Sequence, residues 1–247
     1  MEILTSNVQI PHQDLLISAY LAEPRTSDLE PKPAIIVVQE IFGVNDHIRD
    51  VTQRLAKEGY VTIAPAIYQR LAPGFEVGYT SDMITLGRKY KNQTQAAELL
   101  ADIRSATDYL KKCPQVKPVK GASLGLIGFC FGGHVTYLGA TLPDIAATAS
   151  FYGAGITTMT PGGEPTVTKT SEIKGTIYTF FGNEDASIPP EQVDEIENTL
   201  EKYQIPHKVF RYSGADHGFF CDQRASYNQA AAQDAWQQVL DLFGKHL

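Results

Sequence analysis

The fold is decided by residues 126–134, which read LIGFCFGGH. An apolar run ends in Gly-x-Cys-x-Gly, and a helix is predicted directly after it. In so tight a turn the residues two before and two after the central one nearly touch, and both are glycine, Gly128 and Gly132. The turn lifts the Cys130 side chain out of the sheet. It also directs the backbone N–H of Phe131, at a helix start, to the same place, where negative charge would be stabilised. The alternative is an ordinary strand-to-helix turn with a buried cysteine.

A nucleophilic cysteine needs a base, and the base needs an acid that orients it. Such elbows are typical of α/β hydrolases, whose chain order is nucleophile, acid, histidine. Asp185 follows the strand predicted at residues 176–181, and His217 follows the strand predicted at residues 207–212. Ligands of parallel sheets bind at the carboxyl ends of strands. The order and placement therefore predict a triad of Cys130, Asp185 and His217.

Other acids lie near these positions in the sequence. Glu184 could replace Asp185, but its longer side chain fits the strand end less well. Asp185 could also be no more than a helix N-terminal acid, favoured by the helix dipole. Asp216 is adjacent to His217 and cannot easily face the ring, so we interpret it as a loop residue.

The remaining histidines are weaker candidates for the base. His134 lies one helical turn beyond Cys130 and is expected to pack under the site, pointing away from the thiol. His47 lies near a predicted helix start, where a solvated role is expected. The others are placed in a hairpin turn, at a strand start and at the C-terminus: His12, His207 and His246.

Glu40 is a second acid of interest, because it lies just past a fully apolar strand predicted at residues 34–39. Its neighbours are apolar, so we expect its side chain to be partly buried rather than exposed on a loop. A buried carboxylate near a thiol can hydrogen-bond it or take its proton. The backbone N–H of Ile41 is expected to be the second oxyanion donor, beside that of Phe131.

Several motifs together resemble the dienelactone hydrolase (carboxymethylenebutenolidase-like) family. They are QEIFG at 39–43, GFCFGG at 128–133, GNED at 182–185 with Ile188-Pro189, and DHGF at 216–219. The resemblance extends from about Val8 to the C-terminal helix. It implies hydrolysis of the ester bond of an enol lactone, with Cys130 as nucleophile, Asp185 as orienting acid and His217 as base. It also implies that Glu40 contacts the resting thiol and helps to generate the thiolate when substrate binds.

The sequence departs from the family where the substrate carboxylate is held. Family members use arginines, one of them shortly after the catalytic histidine. Here residues 218–223 contain no arginine, and Arg224 comes only after them. Arg88, next to Lys89, precedes the long helix. Either arginine could approach the pocket, but neither aligns securely, and a surface charge is the alternative for each. Tyr152, at the end of a predicted strand, could also reach the pocket.

Composition fits a soluble enzyme. The net charge is −7 and basic runs are absent, which argues against nucleic acid and anionic membrane surfaces as partners. No apolar stretch of about 18 residues suggests a membrane span, and residues 1–7 do not read as a signal peptide. Three cysteines without close pairing suit a reducing cytoplasm. Neither Cys-x-x-Cys nor a histidine pair at ligand spacing occurs, so no metal and no cofactor are expected.

The predicted architecture is one α/β-hydrolase domain over residues 1–247, with a mostly parallel sheet flanked by helices. Residues 8–10 and 15–21 alternate and predict an N-terminal antiparallel hairpin. Residues 65–80 predict a turn-rich loop over the site, and residues 93–112 a long amphipathic helix. We expect a monomer that acts on a small-molecule ester or lactone.

Two other functions remain open from the sequence. One is a broad carboxylesterase or thioesterase on the same scaffold. The other is a non-catalytic small-molecule-binding protein in which Cys130 is an unreactive buried thiol. The order of Cys130, Asp185 and His217 argues against the second, and reactivity of the thiol would discriminate between them.

Overall fold

The structure is a computed structural model that describes residues 1–13, 15–25, 30–117, 123–159, 161 and 163–247. The strands are β1 Ile3–His12, β2 Leu15–Pro24, β3 Ala34–Val38, β4 Val61–Pro65, β5 Leu124–Phe129, β6 Ile145–Phe151, β7 Thr176–Gly182 and β8 His207–Tyr212. The α-helices are α1 Asp46–Lys57, α2 Ser81–Lys91, α3 Ala96–Lys112, α4 Phe131–Gly139, α5 Pro190–Lys202 and α6 Gln229–His246. A 3₁₀ helix covers Thr166–Glu172.

These strands form one sheet in the order β1-β2-β4-β3-β5-β6-β7-β8. The pairs β1–β2 and β2–β4 are antiparallel, and all pairs from β4 to β8 are parallel. The predicted mostly parallel α/β sheet with an N-terminal hairpin is confirmed. The hairpin strands are longer than the sequence pattern indicated, and position 14, at the turn, lies outside the described residues.

Strands β3 and β5 are apolar along their whole length because both faces of the sheet are covered at its centre. In β3, Ile35 and Val37 pack in a cluster that includes residues of α1 and α6. The alternate residues Ile36 and Val38 pack in a second cluster that includes residues of α3. A strand buried on both faces reads as a continuous apolar run. Strands β3 and β5 both do so, and they pair side by side at the centre of the sheet.

The loop predicted at residues 65–80 is present, but a helix that the sequence reading missed, α2, follows it. The reason is that Gly87 is the only fully buried residue of α2, so the helix lacks the apolar periodicity that marks α3. A Cβ at Gly87 would lie 2.4 Å from the carbonyl oxygen of Ile41. The glycine therefore lets the backbone of α2 rest directly on the loop that follows β3.

None of the helices in the described part of the chain has the length and hydropathy that crossing a membrane would require.

Candidate active site

Cys130 occupies the turn between β5 and α4 with a φ of +55°, in the left-handed region. Its backbone is fixed by two hydrogen bonds: its N–H donates to Phe151 O at 3.0 Å, and its carbonyl accepts from His134 N at 3.2 Å. A Cβ on Gly128 would lie 2.3 Å from the carbonyl oxygen of Gly132, so only glycine permits this crossing. A strained backbone of this kind costs of order 1–3 kcal/mol. Here it leaves the thiol facing a cavity.

His217 and Asp185 are brought together from the loops after β8 and β7. The Nδ1 of His217 lies 2.7 Å from Asp185 Oδ2, and the Asp185 side chain is completely buried. The other carboxylate oxygen, Oδ1, accepts a hydrogen bond from Ser187 N at 2.8 Å, which fixes the carboxylate plane. Glu184 is exposed, so the structure favours Asp185 over it as the partner of the imidazole.

The pKa of His217 reflects two opposing influences. Burial disfavours the charged imidazolium, but the charge of Cys130, hydrogen bonds to Asp185 and Cys130, and the Asp185 charge raise the pKa to about 10. Because Nδ1 is engaged by the carboxylate, Nε2 is left for the thiol. The imidazole is therefore a base of raised pKa placed where it can take the thiol proton.

Glu40 is fully buried, more so than its sequence context suggested. Arg224 Nη1 donates to Glu40 Oε1 at 3.2 Å, whereas Oε2 has no hydrogen-bond partner in the described part of the chain. Burial raises the pKa of Glu40, and the nearby charges of Arg224 and His217 partly offset this increase. Glu40 and Arg224 are thus joined by one hydrogen bond, and the second carboxylate oxygen of Glu40 makes none among the described residues.

A cavity of about 520 Å³ collects most of the predicted site residues. Its lining includes Cys130, His217, Ile41, Phe131, Arg88, Lys91 and Arg224. The backbone N–H groups of Ile41 and Phe131 have no acceptor among the described residues. Two unpaired donors on the wall beside a thiol are suited to binding an oxyanion.

The cavity carries cationic groups of which the sequence pattern revealed only part. Arg88 and Arg224 both line it, but only Arg224 is partly buried; Arg88 is exposed, so the surface-charge alternative stays open for Arg88. Lys91 also lines it and was missed. Lys91 lies seven residues after Ile84 and three after Arg88, so the three share one face of α2. This spacing identifies Lys91 as a cavity residue only once α2 is known to be a helix. Burial lowers the pKa of Lys91, the charge of Cys130 opposes this shift, and Arg88 adds to it.

Tyr152 does not line the cavity, contrary to the expectation that it reaches the pocket. Its side chain is buried, its φ is +35°, and its hydroxyl has no partner among the described residues. The ring packs edge-on against the His217 imidazole, with 5.2 Å between centroids. A strand end places the backbone of a residue but does not say to which side its side chain turns, and here Tyr152 supports the imidazole from behind.

His134 also lines the cavity. Its Nδ1 lies 3.0 Å from Ala154 O, and its Nε2 lies 2.6 Å from Thr166 Oγ1. Burial lowers the pKa of His134 to about 4; the hydrogen bond to Ala154 opposes this shift and the charge of Lys91 adds to it.

His47 is buried in α1 against the rings of Phe129 and Phe220, so the expected solvated role is wrong. The first turns of α1 lie on the sheet rather than in solvent. His47 belongs, with Glu40 and Cys221, to a group of potential metal ligands directly behind the site.

Comparison with known proteins gives a consistent result. The family model described as "Dienelactone hydrolase family" matches residues 17–247. A relative from Synechocystis sp., named "Putative carboxymethylenebutenolidase", is 59% identical over 248 residues, covering 100% of this chain and 99% of the relative. A relative of the same name from Escherichia coli K12 is 34% identical, covering 99% of this chain and 88% of its own length.

Among solved structures, the crystal structure named "Putative Dienelactone Hydrolase" from Klebsiella pneumoniae subsp. pneumoniae MGH 78578 superposes with a TM-score of 0.89. It is 33% identical, and the match covers 100% of both chains.

Proposed function

This chain belongs to the dienelactone hydrolase family, within the α/β-hydrolase fold, and on that premise we propose that it hydrolyses an enol lactone with Cys130 as nucleophile. The observation that carries the proposal is the His217 imidazole. It is bonded to buried Asp185 at 2.7 Å and interacts with Cys130 at a strained elbow. These contacts support the proposal that Cys130, His217 and Asp185 act as nucleophile, base and orienting acid in covalent acyl transfer.

The first half of the reaction forms a thioester. The Cys130 thiolate attacks the lactone carbonyl carbon, and the N–H groups of Ile41 and Phe131 hold the oxyanion. Collapse of the tetrahedral intermediate breaks the ring C–O bond and releases an enolate oxygen, which takes the proton from the His217 imidazolium. A thiolate is itself a good leaving group, so the adduct goes forward only when the other group leaves easily. This favours enol esters over amides.

The second half returns the enzyme to its resting state. Neutral His217 accepts a proton from water, and the hydroxide formed attacks the thioester carbon. The C–S bond breaks, the carboxylic acid product leaves, and the Cys130 thiolate takes the proton of the His217 imidazolium, which restores the resting thiol. Asp185 stays ionised throughout and keeps the imidazole in one tautomer.

Glu40 is proposed to assist formation of the thiolate as substrate enters. It is supported in this role by its complete burial, its raised pKa and its single contact with Arg224. A substrate carboxylate that approaches Arg224 would compete for that guanidinium and release the carboxylate of Glu40. Such a group, buried and without its partner, favours a positive charge beside it, so the thiol proton passes to His217 and the Cys130 thiolate forms.

Arg88 and Lys91 are proposed to hold an anionic group of the substrate. Arg224 is largely neutralised by Glu40, whereas no salt bridge joins Arg88 or Lys91 to an acid in the described part of the chain. The cavity of about 520 Å³ is larger than a small lactone requires. This size supports a second candidate, a carboxylesterase or thioesterase with a broader acyl range.

The test is hydrolysis of cis- and trans-dienelactone beside p-nitrophenyl acetate. We expect turnover of dienelactone that Cys130→Ala abolishes, whereas Cys113→Ala, which removes a free thiol that does not line the cavity, keeps it. Turnover of the aryl ester alone would select the broader esterase. If Cys130→Ala retained turnover, or if iodoacetamide failed to modify Cys130, the cysteine mechanism would be wrong.

The same family assignment supports a small-molecule ester as partner. Cys113, Cys130 and Cys221 are all free thiols in the structure. Free thiols support a location in the reducing cytoplasm, which fractionation of the source cells with antibody detection would test.

A further inference from the structure

Glu40, His47 and Cys221 form a compact cluster behind the catalytic groups. Each offers one ligand atom, a carboxylate oxygen, an imidazole nitrogen or a sulfur, and these atoms all lie within 4.8 Å of one another. The three side chains come from the loop after β3, from α1 and from the loop after β8, and all are buried. Because Cys221 is far in the chain from Glu40 and His47, no ligand spacing in the sequence could have predicted this cluster.

Two of the three residues carry polar atoms that lack a partner. In the described part of the chain, neither Glu40 Oε2 nor His47 Nε2 has a hydrogen bond, although both atoms are buried. Cys221 has a weak partner, since its Sγ donates to Tyr79 Oη at 3.3 Å. A buried polar atom without a partner costs about 1–3 kcal/mol. Two such atoms on residues of one cluster indicate a missing ligand that would satisfy both.

We propose that Glu40, His47 and Cys221 bind a divalent cation of the zinc type. The donor set of one oxygen, one nitrogen and one sulfur suits Zn²⁺, whereas Mg²⁺ and Ca²⁺ require oxygen ligands alone. Three protein ligands leave the fourth tetrahedral position for water. On binding, the Cys221 S–H bond breaks, the metal–sulfur bond forms and the proton passes to solvent. Arg224 keeps Glu40 Oε1, which leaves Oε2 for the metal.

A second pocket, separate from the substrate cavity, borders the cluster. His47 lines this shallow pocket of about 140 Å³ together with Asp50, Asp222 and Arg54. Two carboxylates against one guanidinium leave the opening with a net negative charge, which favours a cation over an anion. The metal would therefore reach His47 without passing Cys130.

A bound metal would hold the Glu40 carboxylate away from the thiol. If Glu40 assists thiolate formation, as proposed above, metal binding slows ester hydrolysis and a chelator restores it. This consequence depends on the proposed function, whereas binding itself does not. The two are separated by measuring binding in a catalytically silent protein.

The experiment measures metal binding in the Cys130→Ala protein, which also removes the catalytic thiol as a competing ligand. The protein is stripped with a chelator, dialysed against Zn²⁺ and analysed for bound metal. Co²⁺ then serves as a spectroscopic probe, because a thiolate ligand gives an intense near-ultraviolet charge-transfer band. In this background we compare Cys221→Ser and His47→Gln with the matched control Cys113→Ser, which changes a thiol outside the cluster.

We expect one metal per chain and the cobalt–thiolate band in the Cys130→Ala protein and in its Cys113→Ser control. Cys221→Ser should lose the band, and both cluster variants should bind Zn²⁺ at least about 10-fold more weakly. Thermal unfolding provides an independent readout that does not need the variants: Zn²⁺ should raise the Tm of the Cys130→Ala protein. Absence of binding, or binding that Cys221→Ser and His47→Gln leave unchanged, would overturn the proposal.

Discussion

Two histidines, His134 buried and His217 half-buried, line the same cavity and have opposite properties. The pKa of His217 is raised to about 10, and the pKa of His134 is lowered to about 4. Burial lowers both, so burial does not explain the difference. His217 contacts the carboxylate of Asp185 and the thiol of Cys130, whereas His134 contacts only a carbonyl and a hydroxyl, both neutral.

The comparison shows that partners, rather than position, give an imidazole its chemistry. His134 is much closer to Cys130 along the chain, one helical turn away, yet its nitrogens are engaged by Ala154 and Thr166. His217 arrives from a distant loop but is the one that a carboxylate orients. We therefore expect the two residues to respond very differently to the same substitution.

The largest expected effect separates the two histidines by activity. His217→Gln should reduce kcat/KM by about 10³-fold or more, because the base is lost. His134→Gln can keep both hydrogen bonds and should remain within an order of magnitude of the wild type. Ester hydrolysis under saturating and limiting substrate measures both. Similar losses of kcat/KM in the two variants would mean that His217 is not the specific base.

The next effect tests whether Asp185 is the origin of the difference. Asp185→Asn should reduce kcat by about 10³-fold, because an amide can favour the wrong imidazole tautomer. It should also lower the pKa of His217, which NMR titration of the ring would show directly. Glu184→Gln is the matched control, since Glu184 is the exposed neighbour, and it should change neither quantity. An unchanged His217 titration in Asp185→Asn would contradict the assignment.

The pH dependence of stability tests the lowered pKa of His134. An unfolded histidine titrates near pH 6.5 and folded His134 near 4, so between these values only the unfolded chain takes up the proton. The contribution of His134 to the free energy of unfolding should therefore fall as the pH drops through this window, by roughly 3 kcal/mol at about 1.36 kcal/mol per pKa unit, and His47, whose pKa is lowered to about 3, adds a loss of the same sign. His217 is protonated in both states over the same range and contributes no slope.

Urea unfolding from pH 7 to pH 4 measures the free energy of unfolding. The difference between wild type and His134→Gln separates the contribution of His134 from those of the other titrating groups. The free energies of unfolding of wild type and His134→Gln should differ less at pH 4 than at pH 7. Parallel curves would mean that His134 takes up its proton at the same pH in the folded and unfolded states, which would contradict the lowered pKa.

The smallest effect concerns Lys91, whose charge acts on the His134 side of the cavity. Lys91→Met should raise KM for a carboxylated lactone by about 10-fold, the equivalent of about 1.4 kcal/mol for a lost charge-assisted contact. It should leave p-nitrophenyl acetate unaffected and raise the pKa of His134. Lys89→Met, at the exposed neighbouring position, is the control. Equal effects on both substrates would argue against an anion contact.

Local conformational requirements explain what the sequence made predictable. The elbow demands glycine at 128 and 132, and the loops that carry Asp185 and His217 follow apolar strands, so their placement at one edge of the sheet could be inferred. The helix α2 could not, because it is held by backbone contact through Gly87 rather than by an apolar face. Its cationic residue Lys91 was missed for the same reason.

Side-chain direction and long-range packing account for the rest. Tyr152 was expected in the pocket but lies behind the imidazole, since a strand end does not specify which way a side chain turns. His47 was expected in solvent but is covered once α1 packs against the sheet. These positions depend on how separate elements meet, and single-sequence patterns do not encode that.

The contact between Arg224 and Glu40 spans 184 residues of chain, which has a consequence for the order of folding. Closing so long a loop carries a large entropic cost that must be met before the contact contributes. During synthesis β3 through β8 can pair while the arginine is still unmade, so the Glu40 carboxylate becomes buried with its counterion absent. We expect this corner to be the last to become protected in pulsed hydrogen exchange during refolding, after the central strands. The catalytic centre would then acquire its full set of charges only when the rest of the sheet is already in place.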